Sequence, residues 1–297
     1  MKNLISIEDL SKAEILKILD KAEEFEDVAL GKRKLRILEG KILANLFFEP
    51  STRTRMSFEA AMKRLGGDVI NLTAQEASSI AKGETLADTI KVVSKYCDAI
   101  VIRHPLIGAA RFAAEHSDVP IINAGDGAGQ HPTQTLLDLY TIRKECGKLS
   151  RISIALVGDL RYSRTVHSLI KALNLFDAEI YLVSPPTLSL PEEILDEVPN
   201  TKIADLSEVI KVVDVLYVTR IQRERFPDEE EYKKVANSYK ITPDLLRNAK
   251  DTLIILHPLP RVNEIDTAVD KTKHARYFEQ AFYGVPVRMA ILTEVIK

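Results

Sequence analysis

Tryptophan is missing from this chain of 297 residues, and cysteine occurs only at Cys97 and Cys146. These two cysteines do not form a Cys-x-x-Cys pair, and they are too few for a disulfide framework. We therefore expect both to be reduced thiols, as in a cytoplasmic protein, with a single bridge between them as the less favoured alternative.

The chain also has no large net charge, since its 41 basic and 43 acidic residues give a net charge of −2. A balanced chain has no general attraction for DNA, RNA or an anionic membrane, so we expect none of these as partners. The first ten residues turn acidic before a long apolar run develops, and we expect neither a signal peptide nor a membrane span there. An anionic substrate would have to be attracted by locally clustered arginine and lysine.

Several motifs of common enzyme classes are absent. The sequence contains no Gly-x-x-x-x-Gly-Lys-Ser/Thr, no Gly-x-Gly-x-x-Gly after a predicted strand and no Gly-x-Ser-x-Gly. These absences argue against a P-loop nucleotide site, a dinucleotide site and serine hydrolase chemistry. No cluster of His, Cys and carboxylates has zinc spacing, so we expect neither a metal nor a cofactor.

What is present is an alternation of short runs rich in Val and Ile with amphipathic stretches, which is typical of βαβ units. The candidate strands of the first half are Ile42–Phe48, Val69–Leu72, Ala99–Arg103 and Pro120–Asn123. Those of the second half are Ile152–Val157, Glu179–Val183, Val213–Thr219 and Thr252–Leu256. We predict an α/β chain of two similar domains, each a mainly parallel sheet flanked by helices, with the active site in the cleft between them.

Helices are predicted between and after these strands. A capping box at Ser11–Glu14 starts one helix, Thr135–Cys146 forms a central one, and Val285–Ile296 forms the last. We place the domain boundaries so that residues 1–131 form the first domain and 132–284 the second, with the C-terminal helix 285–297 packing back on the first.

The most informative stretch is Ser51–Arg55, which follows the strand ending at Phe48 and precedes apolar residues at helical spacing. It is predicted to form the first turn of a helix, where unpaired N–H groups and the positive end of the helix dipole attract anions. Three hydroxyls and two arginines within five residues add further donors. The sequence therefore predicts a site for a small phosphorylated molecule. The alternative, that Ser51 is only a helix cap and the arginines are solvated, is the weaker one.

This stretch resembles the carbamoyl phosphate motif of the aspartate and ornithine carbamoyltransferases. Four further motifs follow in the family's order: Lys82-Gly83-Glu84-Thr85, Arg103-His104-Pro105, His131-Pro132-Thr133-Gln134 and His257-Pro258-Leu259-Pro260-Arg261. The resemblance covers essentially the whole chain, and it implies transfer of a carbamoyl group from carbamoyl phosphate to an amine without a cofactor.

Two features resemble the aspartate branch of the family. The ornithine enzymes usually carry His-Pro-Cys-Gln and His-Cys-Leu-Pro, where this chain has His-Pro-Thr-Gln and His-Pro-Leu-Pro-Arg. L-Aspartate brings two carboxylates, and Arg164, Arg220 and Gln222 offer donors for them. The resemblance thus implies formation of N-carbamoyl-L-aspartate, the committed step of de novo pyrimidine biosynthesis. Ornithine or a related amine as acceptor, and a non-catalytic paralogue that scaffolds other enzymes, are the alternatives.

The resemblance also implies roles for individual residues. The phosphate is expected to contact Ser51, Thr52, Arg53 and Thr54. The carbamoyl oxygen is expected to face Thr54, Arg103 and His131, and the carbamoyl amino group Gln134 and the backbone carbonyls of Pro258 and Leu259. Aspartate is expected to contact Lys82, Arg164, Arg220, Gln222 and Leu259. The expected catalytic residues are Arg53, Thr54, Lys82, Arg103 and His131.

In the family, a serine and a lysine from one subunit reach into the neighbouring subunit's site. Here the lysine is Lys82, and we assign the serine to Ser78, with Ser79 as the alternative. The resemblance therefore implies a homotrimer with shared active sites. Some members of the family also bind a separate zinc-containing regulatory chain, and nothing in this sequence decides whether this one does.

Overall fold

The computed structural model of the chain describes residues 1–73, 83–221, 223, 226, 228–235 and 238–296. The chain forms two compact units. The first unit comprises Met1–Tyr140 and Phe282–Lys297, and the second comprises Thr141–Ala281. The first unit is therefore built from both ends of the chain.

The first unit contains a sheet of four parallel strands in the order β2-β1-β3-β4. Its strands are Ile42–Phe47 (β1), Asp68–Thr73 (β2), Ala99–His104 (β3) and Ile121–Asp126 (β4). Every residue of β4 is buried, and so is all of β1 after its first residue. Such continuous burial is typical of parallel strands that are covered on both faces.

The second unit contains a sheet of five parallel strands in the order β7-β6-β5-β8-β9. Its strands are Ser153–Val157 (β5), Glu179–Val183 (β6), Thr201–Ile203 (β7), Val215–Val218 (β8) and Ile254–Leu256 (β9). The predicted parallel α/β architecture is confirmed, but β7 is a strand that the sequence pattern did not predict. It is short, lies at the sheet edge and leaves Ile203 85% exposed, so it has no apolar run to signal it.

Helices connect the strands in both units. The α-helices are Lys12–Glu24 (α1), Glu26–Ala29 (α2), Thr52–Arg64 (α3), Leu86–Val93 (α4), Ala109–Glu115 (α5), Pro132–Cys146 (α6), Arg164–Asn174 (α7), Glu192–Leu195 (α8), Leu206–Val209 (α9), Glu229–Val235 (α10), Pro243–Leu246 (α11) and Tyr277–Val295 (α12). Short 3-10 helices occur at Ile7–Asp9, Pro186–Leu188 and Thr267–Lys271. Within the described ranges, none of the helices combines the length and the apolar character that crossing a bilayer requires.

The predicted start of α1 is confirmed, whereas the last helix begins earlier than predicted. Ser11 caps α1 by accepting a hydrogen bond from the Glu14 backbone N–H, and the Glu14 carboxylate accepts one from the Ser11 backbone N–H. The last helix, α12, begins at Tyr277 instead of Val285, and it contains both Gly284 and Pro286. Gly and Pro ordinarily weaken a helix, so the sequence pattern hides this helix's first two turns.

Each unit has its own hydrophobic core. In the first unit, Ile100 and Ile121 are fully buried among side chains of the sheet and α5. In the second unit, Leu216 and Ile255 have the same position in the larger sheet. Burial of each such side chain contributes about 1.5–3 kcal/mol, so these cores hold the strand ends that carry the polar residues described next.

Candidate functional site

The first unit brings its predicted site residues to one edge of its sheet. The segment beginning at Ser51 follows β1, Arg103 lies near the end of β3, and His131 follows β4. These three strands are neighbours and parallel, so their carboxyl ends lie along the same edge. In open α/β sheets this edge is the usual place for a ligand.

The beginning of α3 lacks the usual capping contacts of a helix N-terminus. Ser51 is the N-cap residue in an extended conformation, yet its side chain makes no capping hydrogen bond. The first turn of α3 also has no acidic residue, although acidic residues commonly stabilise helix N-termini. Thr52 and Arg53 are exposed, and Thr54 is buried. This helix start therefore directs hydroxyls, backbone N–H groups and a guanidinium outward, which are donors suited to a phosphate.

Arg103 is held by the end of the neighbouring strand. One guanidinium nitrogen, Nη1, donates to the Ala124 carbonyl at 3.3 Å, and Nη2 lies 3.4 Å from the Glu49 carboxylate. Only 13% of the Arg103 side chain is exposed. A guanidinium fixed by an ion pair and a backbone carbonyl presents a preorganised positive charge at this edge.

The loop that leads from β4 to His131 is fixed by two buried polar side chains, Asn123 and Asp126. Asn123 donates to Asp126 Oδ1 at 3.1 Å and accepts from the Gly125 backbone N–H at 2.8 Å. Asp126 in turn accepts from the backbone N–H groups of Gln130 and Gly108, both at 2.8 Å. Neither side chain was among the predicted site residues, although polar residues at the end of an apolar strand are a usable signal.

Gly127 makes this loop possible. Its φ angle is +53°, and a Cβ atom there would lie 2.8 Å from the Pro105 carbonyl oxygen. Only glycine tolerates both the left-handed backbone and this close approach. The loop is therefore held close to the segment that follows Arg103.

His131 and Gln134 lie at the start of α6. His131 is 3% exposed, and its carbonyl accepts hydrogen bonds from the backbone N–H groups of Gln134 and Thr135 at 3.0 and 3.2 Å. Pro132 is the first helical residue, a position that needs no N–H donor. The Gln134 side chain donates from Nε2 to Asp138 Oδ1 at 2.8 Å, which leaves its carbonyl oxygen Oε1 as an acceptor. The sequence did not predict Asp138, which is fully buried.

The second unit brings its own predicted residues to the carboxyl edge of the five-stranded sheet. Arg164 begins the helix that follows β5, Arg220 lies two residues beyond β8, and Pro258 and Leu259 follow β9. Arg164 is 9% exposed, and its preceding residue Ser163 makes no capping hydrogen bond. The three strands are again parallel neighbours, so the two arginines lie along one edge.

A close approach of two strand ends sets the positions of these arginines. Gly158 has a φ angle of +114°, and a Cβ atom there would lie 2.3 Å from the Thr219 carbonyl oxygen. The Thr219 hydroxyl accepts from the Asp159 N–H and donates to the Val157 carbonyl, both at 3.1 Å. Arg220 is therefore anchored through its neighbour to the loop that leads to Arg164.

Buried hydrogen bonds also shape the Pro258-Leu259 segment. His257 Nδ1 accepts from the Leu259 N–H at 2.7 Å, and Nε2 donates to Glu264 Oε1 at 2.7 Å. Leu259 has a φ angle of +55°, which is unfavourable for a branched residue and requires such support. Burial opposes ionisation of Glu264, but the hydrogen bond from His257 and those from backbone N–H groups outweigh it and lower the Glu264 pKa. Sequence reasoning identified the His-Pro-Leu-Pro segment and missed Glu264.

Some predicted site residues lie outside the described residues. They are Ser78, Lys82 and Gln222, as well as the alternative serine Ser79. Throughout the part of the chain that the structure describes, no group of three or more His, Cys, Asp or Glu is arranged to hold a metal ion. Cys97 and Cys146 are free thiols, and burial raises the pKa of each to about 11.

Comparison with known families agrees with this geometry. Residues 2–144 match the model of the carbamoyl-P binding domain of aspartate/ornithine carbamoyltransferase, and residues 150–295 match the model of its Asp/Orn binding domain. The chain belongs to the aspartate/ornithine carbamoyltransferase family. The family predicted from the five motifs is thereby confirmed.

Similar proteins lie in the aspartate branch of the family, as predicted. A protein of Archaeoglobus fulgidus is 75% identical over 100% of this chain and 99% of its own length. One of Methanothrix thermoacetophila is 63% identical over 100% and 98%. Both are named aspartate carbamoyltransferase catalytic subunit.

Solved structures of the family have the same fold. The catalytic subunit of M. jannaschii aspartate transcarbamoylase is 58% identical with a TM-score of 0.92, covering 100% of this chain and 98% of that one. Aspartate transcarbamoylase from Trypanosoma cruzi, solved in complex with carbamoyl phosphate and aspartate, is 42% identical with a TM-score of 0.95, covering 100% and 97%.

Proposed function

We propose that this chain transfers the carbamoyl group of carbamoyl phosphate to the amino group of L-aspartate. The products are N-carbamoyl-L-aspartate and phosphate, and the reaction is the committed step of de novo pyrimidine biosynthesis. The observation that carries this proposal is the start of α3, where Ser51 leaves the helix uncapped beside a strand end bearing Arg103. The names of the similar proteins from A. fulgidus and M. thermoacetophila support the choice of aspartate.

In this proposal, the first unit binds carbamoyl phosphate. The phosphate accepts hydrogen bonds from Ser51, Thr52, Arg53 and Thr54 at the positive end of the helix. Phosphate is also the leaving group, so these donors stabilise the charge that develops as its bond to the carbamoyl carbon breaks. Residues 1–131 form this carbamoyl phosphate-binding domain, and the C-terminal residues 285–297 pack on it.

The chemical step needs no protein nucleophile. The neutral amine of aspartate attacks the carbamoyl carbon, and the negative charge that forms on the carbamoyl oxygen is stabilised by Thr54, Arg103 and His131. Gln134 and the backbone carbonyls of Pro258 and Leu259 accept hydrogen bonds from the carbamoyl amino group. As the carbon–oxygen bond to phosphate breaks, the departing phosphate accepts the proton that the amine loses. Positioning of the reactants supplies most of the remaining acceleration.

The second unit provides donors for the two carboxylates of aspartate. Arg164 and Arg220 form paired hydrogen bonds with them, supported by Gln222, Lys82 and the Leu259 backbone. Residues 132–284 form this aspartate-binding domain. An ornithine site would instead need an acceptor for a side-chain ammonium, which arginines cannot provide.

We further propose a homotrimer in which Ser78 and Lys82 of one subunit complete the neighbouring subunit's site. Leu106 and Ile107, in the turn after Arg103, are 66% and 69% exposed, and a second copy of the chain would cover them. The similar proteins are named catalytic subunits, so a separate zinc-containing regulatory chain is a further candidate partner. Measuring the mass of the assembly purified from its source would test for this chain. The free thiols agree with a location in the cytoplasm.

A transfer assay with carbamoyl phosphate and either L-aspartate or L-ornithine tests the reaction. Carbamoyl-aspartate alone is the expected product. Arg53→Ala should weaken carbamoyl phosphate binding about a hundredfold, because a charged hydrogen-bonding partner of the phosphate is lost. Arg36→Ala is the matched control, since Arg36 is an exposed arginine of the same unit that pairs with Glu39.

The possible outcomes separate the candidate functions. Transfer to ornithine would retain the phosphate site and overturn the assignment of Arg164 and Arg220. Absence of transfer to either amine, by a folded protein, would favour the non-catalytic scaffold. Unchanged carbamoyl phosphate affinity in Arg53→Ala would remove Arg53 from the site.

A further inference from the structure

Asp138 is a fully buried carboxylate one helical turn after Gln134 on α6. Its Oδ1 atom accepts a hydrogen bond of 2.8 Å from Gln134 Nε2. An ionised carboxylate is expensive to bury unless opposite charge and hydrogen bonds compensate it. The surroundings of Asp138 should therefore contain a positive charge.

Arg288 on α12 is 3% exposed and interacts electrostatically with Asp138, so it supplies such a charge. Its guanidinium stacks on the ring of Phe58, with the central carbon 5.0 Å from the ring centroid. Burial lowers the Arg288 pKa to about 10, and the negative charge of Asp138 opposes this shift. The space for the guanidinium comes from Gly284, where a Cβ atom would lie 2.3 Å from Arg288 Nη1.

The charge on Asp138 determines which way the Gln134 amide points. An ionised carboxylate accepts hydrogen bonds and donates none, so the NH₂ end of the amide must face it. The carbonyl end, Oε1, then faces away from Asp138 as an acceptor. A protonated or amide side chain at position 138 can donate, and it would permit the Gln134 amide to turn over.

We propose that Asp138 is a positioning residue whose hydrogen bond with Gln134 Nε2 fixes the Gln134 amide so that Oε1 accepts a hydrogen bond from the NH₂ group of carbamoyl phosphate. This inference rests on the proposed function. Asp138 and Gln134 would then discriminate between acyl phosphates. An acyl phosphate with a methyl group in place of NH₂ has no hydrogen to donate to Gln134 Oε1. Acetyl phosphate is such a molecule, and it presents the same phosphate.

Binding measurements on the whole protein with these two acyl phosphates test the inference. Asp138→Asn keeps the shape of the side chain and removes its charge. It should weaken carbamoyl phosphate about tenfold, the equivalent of one lost hydrogen bond, and change acetyl phosphate affinity less than about twofold. Equal weakening of both ligands would overturn the inference, because it would show a general effect on the phosphate site or the fold.

A double-mutant cycle separates action through Gln134 from a purely structural role. Gln134→Ala should by itself reduce the preference for carbamoyl phosphate over acetyl phosphate about tenfold, while the backbone carbonyls of Pro258 and Leu259 retain the remainder. Asp138→Asn should then have no further effect on that preference in the Gln134→Ala background, since its target is gone. Additive losses of preference would show that Asp138 acts independently of Gln134, and would overturn the inference.

Asp138→Asn leaves the Arg288 charge buried without its partner, which can unfold the protein. Asp138→Asn combined with Arg288→Met removes both charges and retains the length of the side chain. This double variant should fold and should show the same loss of preference. A folded double variant with the wild-type preference would overturn the inference. Wild-type protein that binds no carbamoyl phosphate would instead overturn the proposed function first.

Discussion

At the scale of single residues, Gly158 determines how closely the strand ends of the second unit approach. Gly158→Ala adds a Cβ atom 2.3 Å from the Thr219 carbonyl at a φ angle of +114°. We expect a loss of about 3 kcal/mol or more in the free energy of unfolding, measured by chemical denaturation, because backbone must move to relieve the clash.

Gly147→Ala is the matched control for this substitution. Gly147 also has a positive φ angle, of +72°, but nothing lies within 4 Å of a Cβ atom added there. The control should lose only about 1–2 kcal/mol, from backbone strain. Equal losses in the two variants would show that strain alone, and not the contact with Thr219, requires glycine at position 158.

Glu264 gives a second prediction at this scale, because it accepts three hydrogen bonds. They come from His257 Nε2 at 2.7 Å and from the backbone N–H groups of Val262 and Asn263 at 3.0 Å. Glu264→Gln places an NH₂ group among these donors and should cost about 1–3 kcal/mol of stability at pH 7. Glu279→Gln, an exposed position in the same unit, should have little effect.

The pH dependence of the Glu264→Gln effect follows from the lowered pKa of Glu264. A carboxyl with a lowered folded-state pKa contributes stability that is present above its ordinary pKa of 4.5 and is lost as pH falls through the folded-state value. The stability difference between wild type and Glu264→Gln should therefore shrink below about pH 4.5. A difference that stays constant down to pH 3 would contradict this account.

At the scale of elements, two serine N-caps of the same unit are expected to behave differently. Ser11 makes a full capping box with Glu14, whereas Ser51 makes no side-chain capping bond. Ser11→Ala should lose about 1 kcal/mol of stability and keep its affinity for carbamoyl phosphate. Ser51→Ala should lose less than about 0.5 kcal/mol but weaken carbamoyl phosphate about tenfold. Thermal unfolding and ligand titration of both variants check this reversal, and a larger stability loss for Ser51→Ala would refute it.

The helices and strands also show which secondary structure the sequence pattern could predict. The eight predicted strands all exist, and only their ends differ by a few residues. Most of them are largely buried apolar runs, whereas the edge strand β2 is exposed at Asp68, Ile70 and Asn71. The edge strand β7 escaped prediction because it has only three residues, of which Lys202 and Ile203 are exposed. The predicted start of α12 was wrong because Gly284 and Pro286 interrupt the helical pattern. In the structure, Gly284 leaves room for the Arg288 guanidinium.

The candidate site was predicted from short motifs, such as Ser51–Thr54 and His131–Gln134, and their contacts with a ligand stay predictions. Its supporting residues were not predictable in the same way. Asp138 and Arg288 are 150 positions apart in sequence, and their pairing depends on how α6 and α12 pack in the first unit. Glu264 lies near the His257 motif, but only the fold shows that its carboxylate turns toward the histidine ring.

At the scale of the whole molecule, both units use the carboxyl edge of a parallel sheet for their polar residues. In the first unit this edge carries Ser51, Arg103 and His131, and in the second it carries Arg164 and Arg220. The proposed site also needs Lys82, which the family resemblance assigns to a neighbouring subunit. A monomer would then be inactive even though each of its units folds completely.

Mixing two inactive variants tests whether sites are shared. The Lys82→Ala subunit retains Arg53, and the Arg53→Ala subunit retains Lys82. A site is therefore complete where the first kind supplies Arg53 and a neighbouring subunit of the second kind supplies Lys82. Random assembly of equal amounts into a cyclic trimer gives a complete site at about a quarter of positions, and about a quarter of wild-type carbamoyl transfer should return. Refolding the variants together and separately provides the comparison. No recovery, in trimers shown by native mass measurement to contain both variants, would mean that each subunit supplies its own Lys82 and that the trimer serves another purpose.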